Sequence, residues 1–253
     1  MPRFGSARRR TMGKLTLTLQ ERCVIAENTM SFRFDLGGQA WAFRPGQFVR
    51  ITLINPPFQD EKGAARSLSI ASSPQEPGLL VATRMTGSAF KRVLGELPLG
   101  APVQVAGPFG AFVLDNESSA PAVFLAGGIG ITPFRAMIRD ALDRGSSRAM
   151  TLFYANRTPE DAAFLDEFEA WKHQSAGFRL VAIMSQAEKS RRGWTGRTGL
   201  LDAALLRETL GDASRPAYYA AGPPRFMAGV QAALTQAGVR QEQIHEDEFM
   251  GYP

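Results

Sequence analysis

The hydrophobic rhythm of this chain changes once, and that change limits what it can fold into. From Lys14 to about Ala106 apolar and polar residues alternate: Leu15, Leu17 and Leu19 stand against threonines and Gln20, and Met30, Phe32 and Phe34 against Ser31, Arg33 and Asp35. A period of two puts one set of side chains on one face of a sheet. Phe48, Ile51 and Leu53 extend the pattern, and Gly37-Gly38, Pro45-Gly46, Asn55-Pro56-Pro57, Gly78 and Gly100 supply turns. Strands at this spacing predict a closed antiparallel sandwich or barrel. One short helix interrupts them, with Ser88 as its cap and Phe90, Val93, Leu94 and Leu97 at helical spacing to plug one end.

Beyond a linker at Asn116-Glu117-Ser118-Ser119 the rhythm becomes strand, helix, strand. Strands are expected at 122–126, 150–154, 178–184 and 217–221. Helices are expected from Phe134 to Arg144, from Pro159 to Trp171, near 200–210 and over 224–237. Regular alternation of this kind implies a parallel, doubly wound sheet. Thr158-Pro159-Glu160-Asp161 supplies a cap, a proline and acids for the second helix.

Composition removes several classes of function. The 253 residues suffice for two domains, and no apolar run reaches membrane-spanning length. Cys23 is the lone cysteine, which excludes an internal disulfide and an iron–sulfur cluster held by this chain's thiolates. His173 and His245 lie far apart without ligand spacing, so no metal site is expected. Four of the five net positive charges sit on Arg3, Arg8, Arg9 and Arg10, leaving the remainder nearly neutral. Residues 1–11 are therefore read as a basic, disordered leader, with no nucleic-acid partner and no membrane insertion expected. No apolar segment of a secretory signal follows it, so the cytoplasm is the expected compartment.

Two runs carry the chemistry. Arg66-Ser67-Leu68-Ser69 puts a guanidinium and hydroxyls on an extended segment, and the fixed fork of an arginine suits a pyrophosphate. In Gly127-Gly128-Ile129-Gly130-Ile131-Thr132-Pro133, glycines let backbone N–H groups approach an anion. Thr132 is expected as the N-cap there, and Pro133 at the first helical position. Thr86-Gly87-Ser88-Ala89 offers further backbone donors, or a plain capped turn. Arg157 stands where such sheets read an adenosine ribose and can pair a 2′-phosphate; a salt bridge to Glu160 or Asp161 is the competing reading. Arg191 and Arg192 add charge on a later loop. A flavin nucleotide in the first site and a nicotinamide nucleotide in the second is the economical interpretation.

These segments resemble the ferredoxin–NADP⁺ reductase superfamily across nearly all of residues 12–253. The likeness rests on Phe43-Arg44-Pro45-Gly46-Gln47-Phe48, Arg66-Ser67-Leu68-Ser69, Gly107-Pro108-Phe109-Gly110, the glycine run, Gly222-Pro223-Pro224 and Asp247-Glu248-Phe249-Met250-Gly251-Tyr252, in the family order. The resemblance implies two domains: an N-terminal antiparallel Greek-key β-barrel that binds FAD over 12–116, and a C-terminal α/β doubly wound parallel sheet that binds NAD(P) over 120–253. It also implies hydride transfer from nicotinamide to flavin N5.

Carried onto this chain, the resemblance gives Arg66 to the flavin pyrophosphate, with Ser67 and Leu68 beside it and Ser69 bonded to the flavin ring. Gly87, Ser88 and Ala89 would meet the flavin phosphates. Gly128, Gly130 and Thr132 would hold the nicotinamide cofactor's pyrophosphate, and Gly222 and Pro223 would flank its nicotinamide. Phe249 would cover the flavin, and Asp247 or Glu248 would relay a proton near Ser69. Two positions depart from the family: Leu68 replaces a tyrosine that packs on the flavin, and Ala221 a cysteine near the nicotinamide.

The expected activity is an FAD-dependent NAD(P)H oxidoreductase using NADPH, with NADH possible, that delivers electrons to a separate carrier such as ferredoxin or flavodoxin. A reductase component of a two-component oxygenase, or a reductase of small acceptors, is the alternative. A non-catalytic flavin- or nucleotide-binding regulatory module is the alternative from another class.

Overall fold

The computed structural model describes residues 13–39 and 41–249; the basic leader and Met250-Gly251-Tyr252 lie outside the described residues. Strands β1 (Gly13–Ala26), β2 (Thr29–Asp35), β3 (Phe48–Leu53), β4 (Ala65–Ser69), β5 (Leu79–Arg84) and β6 (Pro102–Phe109) form an antiparallel sheet. Its order is β4-β3-β6-β1-β2-β5. The sheet curls until its edges meet, through a bridge between Ile70 and Val81 and the Ala71 amide donating to the Leu80 carbonyl at 2.8 Å. Leu17, Leu19, Phe32, Phe34, Val49 and Ile51 fill the interior. Helix α1 (Ala89–Glu96) closes one end, its Ser88 cap accepting from the Lys91 amide while Phe90, Val93 and Leu94 enter the same core.

One alternation differs from the sequence pattern. Val49, not Phe48, shares the buried face of β3 with Ile51 and Leu53, as a period of two along the strand requires. Phe48 instead packs against Phe109, with ring centroids 5.6 Å apart.

The second sheet contains β7 (Ala122–Gly127), β8 (Met150–Asn156), β9 (Phe178–Met184), β10 (Arg197–Thr198), β11 (Ala217–Gly222) and β12 (Ile244–Glu248). All neighbours in the order β10-β9-β8-β7-β11-β12 run parallel. Helices α2 (Ile131–Asp143), α3 (Leu165–Gln174), α4 (Ala203–Leu210) and α5 (Pro224–Ala237) connect them. Phe124, Phe134, Tyr154 and Phe168 pack one face, and Val123, Leu125, Leu206 and Met227 the other. Every residue of β7 is buried, as a central strand covered on both faces requires. The chain runs outward from β7 to β8 on one side and later to β11 on the other. The strand order therefore reverses at the end of β7, where parallel sheets open a ligand crevice.

Two helix starts differ from expectation. A 3-10 turn at Gly128–Gly130 runs straight into α2, so the helix begins before Thr132. Thr132 is consequently not the N-cap; it is buried within the first turn and its hydroxyl donates to the Ile129 carbonyl at 3.1 Å. Pro133 likewise stands third in the helix. The helix expected from Pro159 to Trp171 is divided into a 3-10 turn at Pro159–Asp161 and α3, because Phe164 adopts a left-handed conformation between them.

Candidate active site

Strand β4 ends facing the crevice at the end of β7. Ser67, Leu68 and Ser69 from the barrel and Ile129, Thr132, Asp247, Glu248 and Phe249 from the second domain line one cavity of about 270 Å³. Leu68 belongs to the barrel core yet lines this cavity, so it presents an aliphatic wall. The β12 strand pairs with β11, setting Asp247 opposite Ala221 and Glu248 opposite Gly222. Both acids border the cavity. Asp247 is half-buried, and that burial pushes its carboxyl above the usual range; Glu248 is exposed. The Phe249 amide donates to the Gly222 carbonyl at 3.0 Å, tying the ring's backbone to the Gly222-Pro223 turn.

At the other end of β4, Arg66 is held from several sides. Its guanidinium donates to the carbonyls of Lys62 and Gly63 at 2.9 Å and of Ala65 at 2.8 Å, and lies 5.3 Å from the Phe90 ring centroid. Its other terminal nitrogen meets one oxygen of Asp60 at 3.3 Å. The second Asp60 oxygen accepts from the Ala89 amide, in the first turn of α1, at 2.8 Å. That amide bond, with the Arg66 contact beside it, holds the Asp60 carboxyl below its ordinary range. Lys91 is buried next to this group, its Nζ 3.0 Å from the Thr86 hydroxyl. Burial, reinforced by Arg66, Lys62 and Arg84, pushes Lys91 down to about 8. A guanidinium and the N-terminal turn of a helix thus meet on one carboxylate. These donors fit a diphosphate.

The glycines at the end of β7 serve different purposes. Gly128 has φ +52° and open space at its would-be Cβ, so only its backbone needs the glycine. A Cβ on Gly130 would lie 2.2 Å from the Ala221 carbonyl, so its absence allows the helix turn to press against β11. Gly128 and Gly130 thus let the chain turn tightly from β7 into α2, with Ile129 and Thr132 of this turn lining the cavity. The ring of Phe226, in the first turn of α5, lies over Gly127 and Gly222 and leaves no room for a side chain on either.

Beyond β8, Arg157 forks onto Asp161 at 3.2 and 3.1 Å, the salt bridge anticipated as the competing reading. Arg84 of the barrel meets the same nearly buried carboxylate at 3.3 Å. Arg191 pairs with Glu27 at 3.6 Å and Arg192 with Asp166 at 3.3 Å. Arg157, Lys189 and Arg191 nevertheless line one cavity of about 290 Å³, together with Glu160 and Gln186. Partial burial opposes ionisation of Glu160, but hydrogen bonds from the loop, led by the Arg192 amide, bring it down to about 2.

Two family models match the chain: an oxidoreductase FAD-binding domain over residues 16–114 and an oxidoreductase NAD-binding domain over 124–232. Ferredoxin–NADP reductase B of Sorangium cellulosum is 33% identical over 220 residues, which span 84% of this chain and 87% of that protein. The glycine betaine monooxygenase reductase subunit of Chromohalobacter salexigens is 28% identical over 83% of this chain, but the match spans only 57% of that protein. Among solved structures, the cytochrome P450 reductase GcoB of Amycolatopsis superposes with a TM-score of 0.78 at 26% identity, covering 95% of this chain and 72% of that one. Fold and matches together define a flavin-dependent oxidoreductase with an FAD-binding and an NAD-binding domain. The chain belongs to the ferredoxin–NADP⁺ reductase superfamily.

Sequence reasoning missed Asp60, Lys91 and Phe226. Asp60 stands six residues before Arg66 in a turn, where an acid reads as solvent-facing polarity. Nothing in the sequence around Lys91 separates it from a lysine on a helix surface. Phe226 follows Gly222-Pro223-Pro224 and carries no local mark of the two glycines it covers.

Proposed function

We propose that the chain accepts a hydride from NADPH, with NADH as a secondary donor, and passes electrons to a separate carrier, ferredoxin or flavodoxin. The observation that supports this is the cavity shared between the end of β4 and the start of α2, to which both domains contribute polar groups and Phe249. FAD, when bound, supplies two-electron acceptance from a nicotinamide and stepwise release to the carrier.

In this reading Arg66 holds the flavin diphosphate with the amides of the Gly87-Ser88-Ala89 turn, while Ser67, Leu68 and Ser69 face the flavin ring. Gly128, Gly130 and Thr132 receive the nicotinamide cofactor's diphosphate, Gly222 and Pro223 flank the nicotinamide, and Phe249 covers the same position between turnovers. Asp247 is favoured over Glu248 as the proton-carrying acid because it is the more buried of the two. Arg157 reads the 2′-phosphate by exchanging Asp161 for it, leaving Arg84 on that carboxylate. The domains are taken as 12–116 and 120–253. Among the described residues no helix is long and apolar enough to cross a membrane, and with a single free cysteine the cytoplasm is the proposed compartment.

The second reading is a reductase component of a two-component oxygenase, supported by the similarity to a monooxygenase reductase subunit and to a P450 reductase. The two are separated by reducing the protein with NADPH and offering ferredoxin, flavodoxin, oxygenase components and small acceptors in parallel. Rapid reduction of ferredoxin or flavodoxin supports the first. Preference for an oxygenase component supports the second, and reduction of small acceptors alone contradicts both.

A further inference from the structure

Asp60 meets both groups that the flavin reading assigns to the cofactor's diphosphate. One carboxylate oxygen takes the Ala89 amide at 2.8 Å and the other takes Arg66 at 3.3 Å. A diphosphate engaging the same amide and the same guanidinium nitrogen needs the positions these oxygens occupy. The β3–β4 loop fixes Asp60 there: the Lys62 amide donates to its carboxylate at 3.0 Å and the Gly63 amide to its carbonyl at 2.8 Å. Gly63, at φ +67°, makes the bend that returns the chain to Arg66. Arg66 is also anchored by the carbonyls of Lys62, Gly63 and Ala65, so it stays in place whether or not Asp60 is on it. Asp60 is the replaceable partner.

We propose that Asp60 is an internal competitor for the flavin diphosphate, a carboxylate latch that sets how tightly FAD is held and how readily it exchanges. This rests on the flavin reading of Arg66. The opposite role, a positioning residue that orients Arg66 toward the diphosphate, predicts the opposite effect of removing its charge.

The test is a titration of the full chain, stripped of bound flavin, with FAD, followed by quenching of flavin fluorescence. Wild type is compared with Asp60→Asn, Asp60→Ser, Arg66→Ala and the Asp60→Asn/Arg66→Ala pair. Loss of one competing charge-assisted contact should tighten FAD binding about tenfold in both Asp60 variants. That gain should shrink in the Arg66→Ala background, since both substitutions act on one contact. Unchanged or weaker FAD binding in the Asp60 variants, with Arg66→Ala still weakening it, overturns the latch and leaves the flavin site standing. If Arg66→Ala binds FAD as well as wild type, the flavin reading fails and the latch with it.

Discussion

Arg135 on α2 places its two terminal nitrogens on the two carboxylate oxygens of Glu76, each at 3.0 Å, and so joins the second domain to the barrel. The same guanidinium donates to the Ala71 carbonyl at 2.7 Å and pairs with Glu167 at 2.7 Å. Ala71 and Glu76 belong to the β4–β5 connection, which leaves the cavity at Ser69; α2 begins beside Thr132, which lines the same cavity. The clamp therefore fixes the two halves of the site relative to each other. Arg135 is 6% exposed, and burial alone would lower its pKa; Glu76 and Glu167 reverse that and raise it.

Removing Glu76 leaves the buried Arg135 guanidinium to Glu167 and the Ala71 carbonyl alone. Glu76→Ala, which loses a bidentate charge-assisted contact, should cost about 2 kcal/mol and lower the thermal midpoint by roughly 4–8 °C. Adding Arg135→Met should recover part of the loss, since the buried guanidinium is then gone and Glu167, partly exposed, is left to solvent. A midpoint within about 2 °C of wild type for Glu76→Ala would show that the clamp carries little.

Asp247 gives a pH dependence of known sign. Its folded pKa is raised by burial, so the carboxylate costs stability above that pKa and the cost vanishes as pH falls through it toward the unfolded value. Asp247→Asn should therefore melt higher than wild type at neutral pH, with the difference closing in acid. If Asp247 carries the proton, the variant should also turn over roughly 100-fold more slowly. A melting gain that persists at low pH, or unchanged turnover, would separate Asp247 from the role assigned to it.

Arg157→Ala should lower kcat/KM for NADPH by about 10- to 150-fold, the value of a charge-assisted contact to phosphate, and leave NADH nearly unchanged. Equal losses with both nucleotides would mean that Arg157 acts only through its bond to Asp161.

Phe249 is half-buried on the core of the second domain and anchored through its amide to Gly222. If its ring shares a position with the nicotinamide, Phe249→Ala should tighten NADP⁺ binding, because the fraction of time the position is covered falls. Turnover should slow where release becomes limiting. NADP⁺ titration and stopped-flow reduction read the two effects separately; unchanged affinity makes Phe249 an ordinary packing residue.

What the sequence made legible was whatever local chemistry decides. The bounds of α5 follow from Pro223-Pro224 at its start and Gly238, at φ +80°, at its end, and the start of α1 follows from Ser88. The parallel sheet was readable from the alternation of β7, β8, β9 and β11 with helices; β10, two residues long, carries no such pattern. Thr132 was misplaced because a cap is an alternative to helical backbone, and here the preceding glycines already turn helically. The break at Phe164 comes from a left-handed residue that its side chain does not announce. Asp60 on Ala89, and Arg135 on Glu76, pair residues 29 and 59 positions apart, so only tertiary structure brings them together.

Anaerobic titration of the purified chain with NADPH, followed at the flavin absorbance, requires both domains to be loaded and aligned. Hydride transfer between the two sites should give a yellow protein bleached by one equivalent of NADPH per flavin, and more slowly by NADH. A chain that binds no flavin, or whose bound flavin keeps its oxidised spectrum with excess of either nucleotide, contradicts it.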